Sequence, residues 1–160
     1  MTRRFAQDTS VSVEKSKAEI EGLVSRYGAT AFASAWQNGQ AKIMFEAKNR
    51  RIRFSLPLPK KDDKKFTHFR HHKSGSLQAR SPTAAIEAWE QACRQSWRAL
   101  ALVIKAKLEA VAAGISEFED EFLANIVMPS GETVGERIRP QIAIVYERGD
   151  MPLMLEGPRQ

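Results

Sequence analysis

The chain has 160 residues, 42% hydrophobic and 28% charged, with one cysteine, Cys93, and a net charge of +6 at pH 7. That length and mixture support one domain, residues 1–160, with its own core and exclude a wholly disordered chain; a lone thiol excludes an internal disulfide, so a reducing cytoplasm is the expected compartment. No run approaches 18 apolar residues, and the arginines of MTRRFAQDTS precede no apolar stretch, so neither a membrane span nor a signal peptide is expected.

Residues 1–11 read as a flexible N-terminus. Over 12–27, Val13, Ile20, Leu23, Val24 and Tyr27 recur at helical spacing, with Ser12 placed to cap the start and Gly28 to end it. The next stretch, TAFASAWQNGQAKIMFEAKNRRIRFSLPLP, contains Asn38-Gly39, a pair suited to a two-residue hairpin turn because both positions tolerate positive φ. A turn there sets Trp36 opposite Ala41, Ser34 opposite Ile43 and Phe32 opposite Phe45. A second turn at Lys48-Asn49 sets Phe45 opposite Ile52, Ile43 opposite Phe54 and Ala41 opposite Leu56. One register thus satisfies three strands, with Phe32, Trp36, Ile43, Phe45, Ile52, Phe54 and Leu56 facing a core. Lys42, Met44, Glu46, Arg51, Arg53 and Ser55 fall on the other face, and Pro57 and Pro59 stop the third strand.

Residues 57–80 show no sustained period and read as a long basic loop. Ser81-Pro82 then gives an N-cap and a proline at the first helical position. Ile86, Trp89, Cys93, Trp97, Leu100, Ile104, Leu108 and Val111 step along a helix of about 31 residues, near 46 Å long. This exceeds what three strands cover, so later elements must meet part of it. The face around Val103, Ile104 and Leu108 offers a homodimer or partner surface if those elements leave it bare. Ser116 with Glu119 predicts a capping box and a helix carrying Phe118, Phe122, Leu123, Ile126 and Val127. MPSGE, 128–132, is a turn. Thr133 with Glu136 predicts a further capping box and a last helix with Val134, Ile138, Ile142, Val145 and Tyr146 inward, bent or split by Pro140. Residues 150–160 read as an extended tail. The fold expected is α+β, in the order α-β-β-β-α-α-α.

The positive charge is concentrated. Residues 42–80 hold twelve basic and three acidic side chains, whereas the other 121 residues hold thirteen basic and sixteen acidic. A focused positive region attracts polyanions. Phosphates need Lys and Arg in quantity, and unpaired bases need flat side chains to stack on. The segment supplies Lys60, Lys61, Lys64, Lys65, Arg70, Lys73 and Arg80 among Phe66, His68, Phe69, His71 and His72, and Lys42, Arg51 and Arg53 extend it over the sheet. Phe66 and Phe69 can equally fold back to anchor the loop.

A metal centre could in principle use His68, His71 and His72 with Cys93 or Asp63, but the paired short spacings of zinc sites are missing, and Cys93 belongs to an apolar stripe. No metal or other cofactor is expected. Glu117, Glu119, Asp120 and Glu121 crowd a helix start, where carboxylates suit the dipole. No phosphate-cradling loop, nucleophile elbow or Cys/His dyad is present, so no enzyme is expected. Trp36, Trp89 and Trp97 read as core.

The order of elements over 12–113 is similar to a double-stranded-RNA-binding domain, although SPTAAIEAW has no lysines where that family places them at its second helix. The run WEQACRQSWRALALVIKAKLEAVAAGISEFEDEFLANIVMPSGETVGERI, with RYGATAFASAW, resembles small uncharacterised proteins encoded by bacteriophages and prophages. That resemblance implies a phage context in a bacterial host, where proteins of this size are often replication or recombination accessories, or inhibitors of host defence. The function expected is a non-enzymatic nucleic-acid-binding accessory protein using residues 42–80, with DNA or RNA as partner. The alternatives are an inhibitor or regulator that binds a host protein, such as a nucleic-acid enzyme, and a structural, virion-associated oligomer.

Overall fold

In the computed structural model, residues 6 and 8–149 are described, so the expected tail and most of the expected N-terminal arm lie outside them. Helix α1, Val13–Arg26, starts where the Ser12 hydroxyl accepts from the Lys15 N–H. Its apolar stripe buries Ile20, Leu23 and Val24. Before it, the Thr9 carbonyl accepts from Gln91 Nε2 at 3.0 Å, which ties the lead-in to the long helix.

Strands β1 (Ala31–Gln37), β2 (Gln40–Ala47) and β3 (Arg50–Pro57) form an antiparallel meander in the order β1-β2-β3. Each pairing expected from the sequence is present, from Trp36 opposite Ala41 to Ala41 opposite Leu56. Positive φ at Asn38, Gly39, Lys48 and Asn49 supplies the mirror-image turns that the strand twist requires. Ile43, Phe45, Ile52 and Phe54 are buried beneath α1 and the long helix α3, Pro82–Ala112, whose N-cap is Ser81.

Trp36 departs from the expected core. It stands on the core-facing side of the sheet, but at the end of an edge strand that the helices do not roof, and it is 72% exposed. With Trp89, half-buried, and Trp97, buried, it borders an open groove of about 380 Å³.

The expected 57–80 loop is folded. A single helical turn, α2 (Lys64–Thr67), leads into a two-stranded ribbon of β4 (His68–Arg70) and β5 (Leu77–Ala79). The loop expectation failed because HFR and LQA have no buried alternating face. Backbone pairing holds them instead, including Arg80 N–H to the Thr67 carbonyl at 2.7 Å and His71 N–H to the Ser76 carbonyl at 2.8 Å.

After α3, helix α4 is only Phe118–Phe122 and is followed by a 3-10 turn, Leu123–Asn125. The Ser116 capping box is not formed: Glu117 is the N-cap and makes no side-chain cap bond. Ile126 and Val127 leave the helix, as β-branched residues do readily. Ile126 instead bridges Ile52, and the Val127 N–H donates to the Arg51 carbonyl at 2.8 Å. Phe122, fully buried, meets Phe45 and Phe54 edge-on at 5.8 and 6.2 Å between ring centres. Phe118 and Phe122 join Ile104 and Leu108 in one core cluster, which removes those two α3 residues from the expected dimer face; Val103 remains exposed.

Helix α5, Val134–Arg148, has the expected Thr133–Glu136 capping box and runs unbroken through Pro140. Its apolar side is not fully inward. Val134, Ile138 and Val145 are half-buried, while Ile142 and Tyr146 are exposed; the helix start packs on the 3-10 turn, with Gly135 against Ala124. Among the described residues no helix is long and apolar enough to cross a membrane.

Candidate nucleic-acid interface

The basic segment is fastened at its root. Leu58 N–H donates to the Gly39 carbonyl at 3.0 Å, and the Trp89 indole N–H donates to the Pro59 carbonyl at 2.8 Å. Phe66 is buried against this root, so of the two possibilities open to it, anchoring is the one realised. Asp63 precedes α2, and its carbonyl accepts from the N–H groups of Phe66 and Thr67. Lys60 and Lys65 border a cleft of about 590 Å³ between this root and Ala92, Gln95 and Ser96 of α3.

From the root, β4 and β5 carry the remaining charge outward. Gly75, at φ +67°, lets the 71–76 connection turn, and its N–H donates to the His71 carbonyl at 2.8 Å. Ser74 Oγ lies 3.2 Å from His71 Nδ1 and 2.8 Å from Ser76 Oγ, which stiffens the tip. His68 Nδ1 is 2.9 Å from Thr67 Oγ1. The Arg70 guanidinium donates to the Gly75 carbonyl. Arg80 reaches the His68 carbonyl, and its guanidinium sits 5.6 Å from the centre of the partly exposed Phe69 ring.

Within residues 60–80, seven basic side chains face two acidic ones. Lys65 pairs with Asp63 at 3.4 Å and also lies over the Phe66 ring. Lys61 places its ammonium 5.5 Å from the centre of the Trp89 ring. Lys60, Lys64, His72 and Lys73 are exposed and take no ion pair among the described residues. Unpaired lysines such as these three are free to meet a polyanion.

The sheet residues are situated differently. Lys42 stands near the Asn38-Gly39 end, its Nζ 3.5 Å from Gln37 Oε1. Arg51 is held across the strands by Glu46, with both side chains well exposed. Arg53 is withdrawn. Its side chain is 16% exposed, donates to the Gly131 carbonyl at 2.9 Å and pairs with Glu136. The Thr133 backbone N–H, followed by Arg53, holds the Glu136 carboxyl below its ordinary range, against the opposing pull of partial burial. The positive region of the sequence therefore divides into a sheet end where Arg51 and Arg53 are neutralised and a 60–80 segment where, among the described residues, only Lys65 is paired with an acid.

Sequence reasoning missed Trp89 as a support for the site, since its place in a helical stripe gave no sign of its bond to Pro59. Glu136, 83 positions beyond Arg53, gave none either. Among the described residues no three His, Cys, Asp or Glu side chains converge as metal ligands. Burial raises the Cys93 thiol pKa, as suits a core residue rather than a reactive thiolate. No family model, curated protein or solved structure matches the chain.

Proposed function

We propose that this protein is a non-enzymatic accessory factor that binds nucleic acid, DNA or RNA, chiefly through the folded segment 60–80. The observation carrying this reading is the ribbon and its root, which present Lys60, Lys64 and Lys73 with no acidic partner among the described residues, and His72 beside them, on a braced scaffold. Phosphate contacts supply sequence-independent affinity, and Phe69 and the tip histidines add flat surface for stacking. A two-stranded ribbon is also of a width that a duplex major groove admits.

Replacing Lys60, Lys64 and Lys73 with Gln is expected to weaken binding and to flatten the salt dependence of log K by about 0.9 for each B-DNA phosphate that the variant no longer neutralises. Arg51→Gln, which removes a cation already paired with Glu46, is expected to change both far less. Fluorescence anisotropy with labelled oligonucleotides measures this contrast. Equal losses at the two sites would refute the assignment to the ribbon.

A second reading, an inhibitor or regulator that docks on a host protein, draws on the exposed Ile142, Ile144 and Tyr146 of α5. Ile142 and Tyr146, four residues apart, share one face of the helix, and exposed apolar groups on one face suit a protein partner.

A further inference from the structure

The free edge of β1 points to a second copy of this chain. Antiparallel strands alternate the direction of their backbone groups. The two-residue turn closes on Gln37 opposite Gln40, so Ala31, Ala33, Ala35 and Gln37 bond inward to β2. The N–H and C=O groups of Phe32, Ser34 and Trp36 then face outward. The same alternation at the opposite edge turns Arg51 outward, where its carbonyl accepts from Val127. That edge is covered by residues 126–127 and carries arginines; among the described residues, β1 has no strand on its outer side.

Exposed edges are normally blunted by charge, proline or a bulge. Ala31–Gln37, AFASAWQ, contains no charged residue and no proline, and it pairs with β2 without a bulge. It is also close to self-complementary about Ser34, with Ala33 and Ala35 flanking it and Phe32 and Trp36 beyond them. We propose that two copies pair antiparallel along β1 with Ser34 opposite Ser34, making a continuous six-stranded sheet. In that register the outward groups of Phe32, Ser34 and Trp36 all find partners, and no like charges meet along the edge. Phe32 of each copy comes opposite Trp36 of the other, an aromatic cross-strand pair that covers the most exposed tryptophan of the chain.

Sedimentation equilibrium of the full chain is expected to show a dimer. Ser34→Lys, which sets two like charges at the two-fold axis, and Ser34→Pro, which removes an outward N–H that the sheet does not use, are each expected to give a folded monomer by circular dichroism. Ser34→Cys tests the register without perturbing the fold. The paired Cα atoms would lie about 5.5 Å apart, within disulfide range, so oxidised glutathione should link two copies, whereas Lys73→Cys on the ribbon should not link. A wild-type monomer overturns the proposal, as does a dimer that persists in both folded Ser34 variants, or one in which Ser34→Cys fails to cross-link. A monomer in which removal of residues 1–5 exposes the β1 edge to amide exchange would assign that edge to the chain's own N-terminus, and would also overturn it.

Discussion

Ser16 shows how one side chain can sit against the general pattern. It lies on the apolar stripe of α1, between Val13 and Ile20, and is fully buried, yet its Oγ finds no hydrogen-bond partner among the described residues. A buried, unsatisfied hydroxyl costs more than it contributes, and serine is a poorer helix former than alanine. Ser16→Ala is therefore expected to raise stability by about 1 kcal/mol and Tm by about 2–4 °C, as a thermal melt would show. A lower Tm would mean that the hydroxyl is satisfied in solution. At this scale the sequence is readable where the neighbours are local. Ser12, Ser81 and Thr133 cap the helices that follow them because each cap needs only residues within a turn. Arg53 is the opposite case, since its partners Gly131 and Glu136 come from a distant segment that no local pattern connects to β3.

Among the elements, the meander was legible because two turns with positive φ fix the register, and one register satisfies the apolar residues of all three strands. Helix α3 was legible from its long period. The β4–β5 ribbon was not, since its strands are three residues each and bury no face. The α4 expectation erred because Phe118, Phe122, Leu123, Ile126 and Val127 fit a helical stripe equally well, and only the free edge of β3 draws the last two away. The packing of α5 also depends on a residue whose role the sequence conceals. An ideal Cβ at Gly135 would stand 2.8 Å from the Ala124 carbonyl oxygen, a backbone atom that cannot swing aside. In an exposed helix, Gly→Ala stabilises by about 1 kcal/mol. Here Gly135→Ala is expected to destabilise by about 1–3 kcal/mol, through forced separation of α5 from the 3-10 turn. Urea denaturation reads the sign directly, and a stabilised variant would show that the two elements have room to shift.

Across the whole molecule, the core and the charge occupy different parts of one scaffold. The sheet, α1, α3 and α4 share the apolar cluster, while the segment between β3 and α3 is a small basic outgrowth tied to it by Phe66, Trp89 and Leu58. The sequence located that excess of charge but not its division, because neutralisation of Arg51 and Arg53 depends on the folded arrangement of Glu46 and Glu136. Two copies joined along β1 would carry two such outgrowths on one sheet, giving a polyanion two points of attachment and a gain in avidity wherever its length spans them. The central claim is that the outgrowth holds nucleic acid. Its most direct test is a binding panel with the intact chain over single- and double-stranded DNA and RNA at about 50 and about 200 mM salt, a range over which phosphate-mediated affinity falls steeply. The expected result is binding at the lower salt to at least one strand type, with a marked fall at the higher; absence of salt-dependent binding to all four would contradict the account.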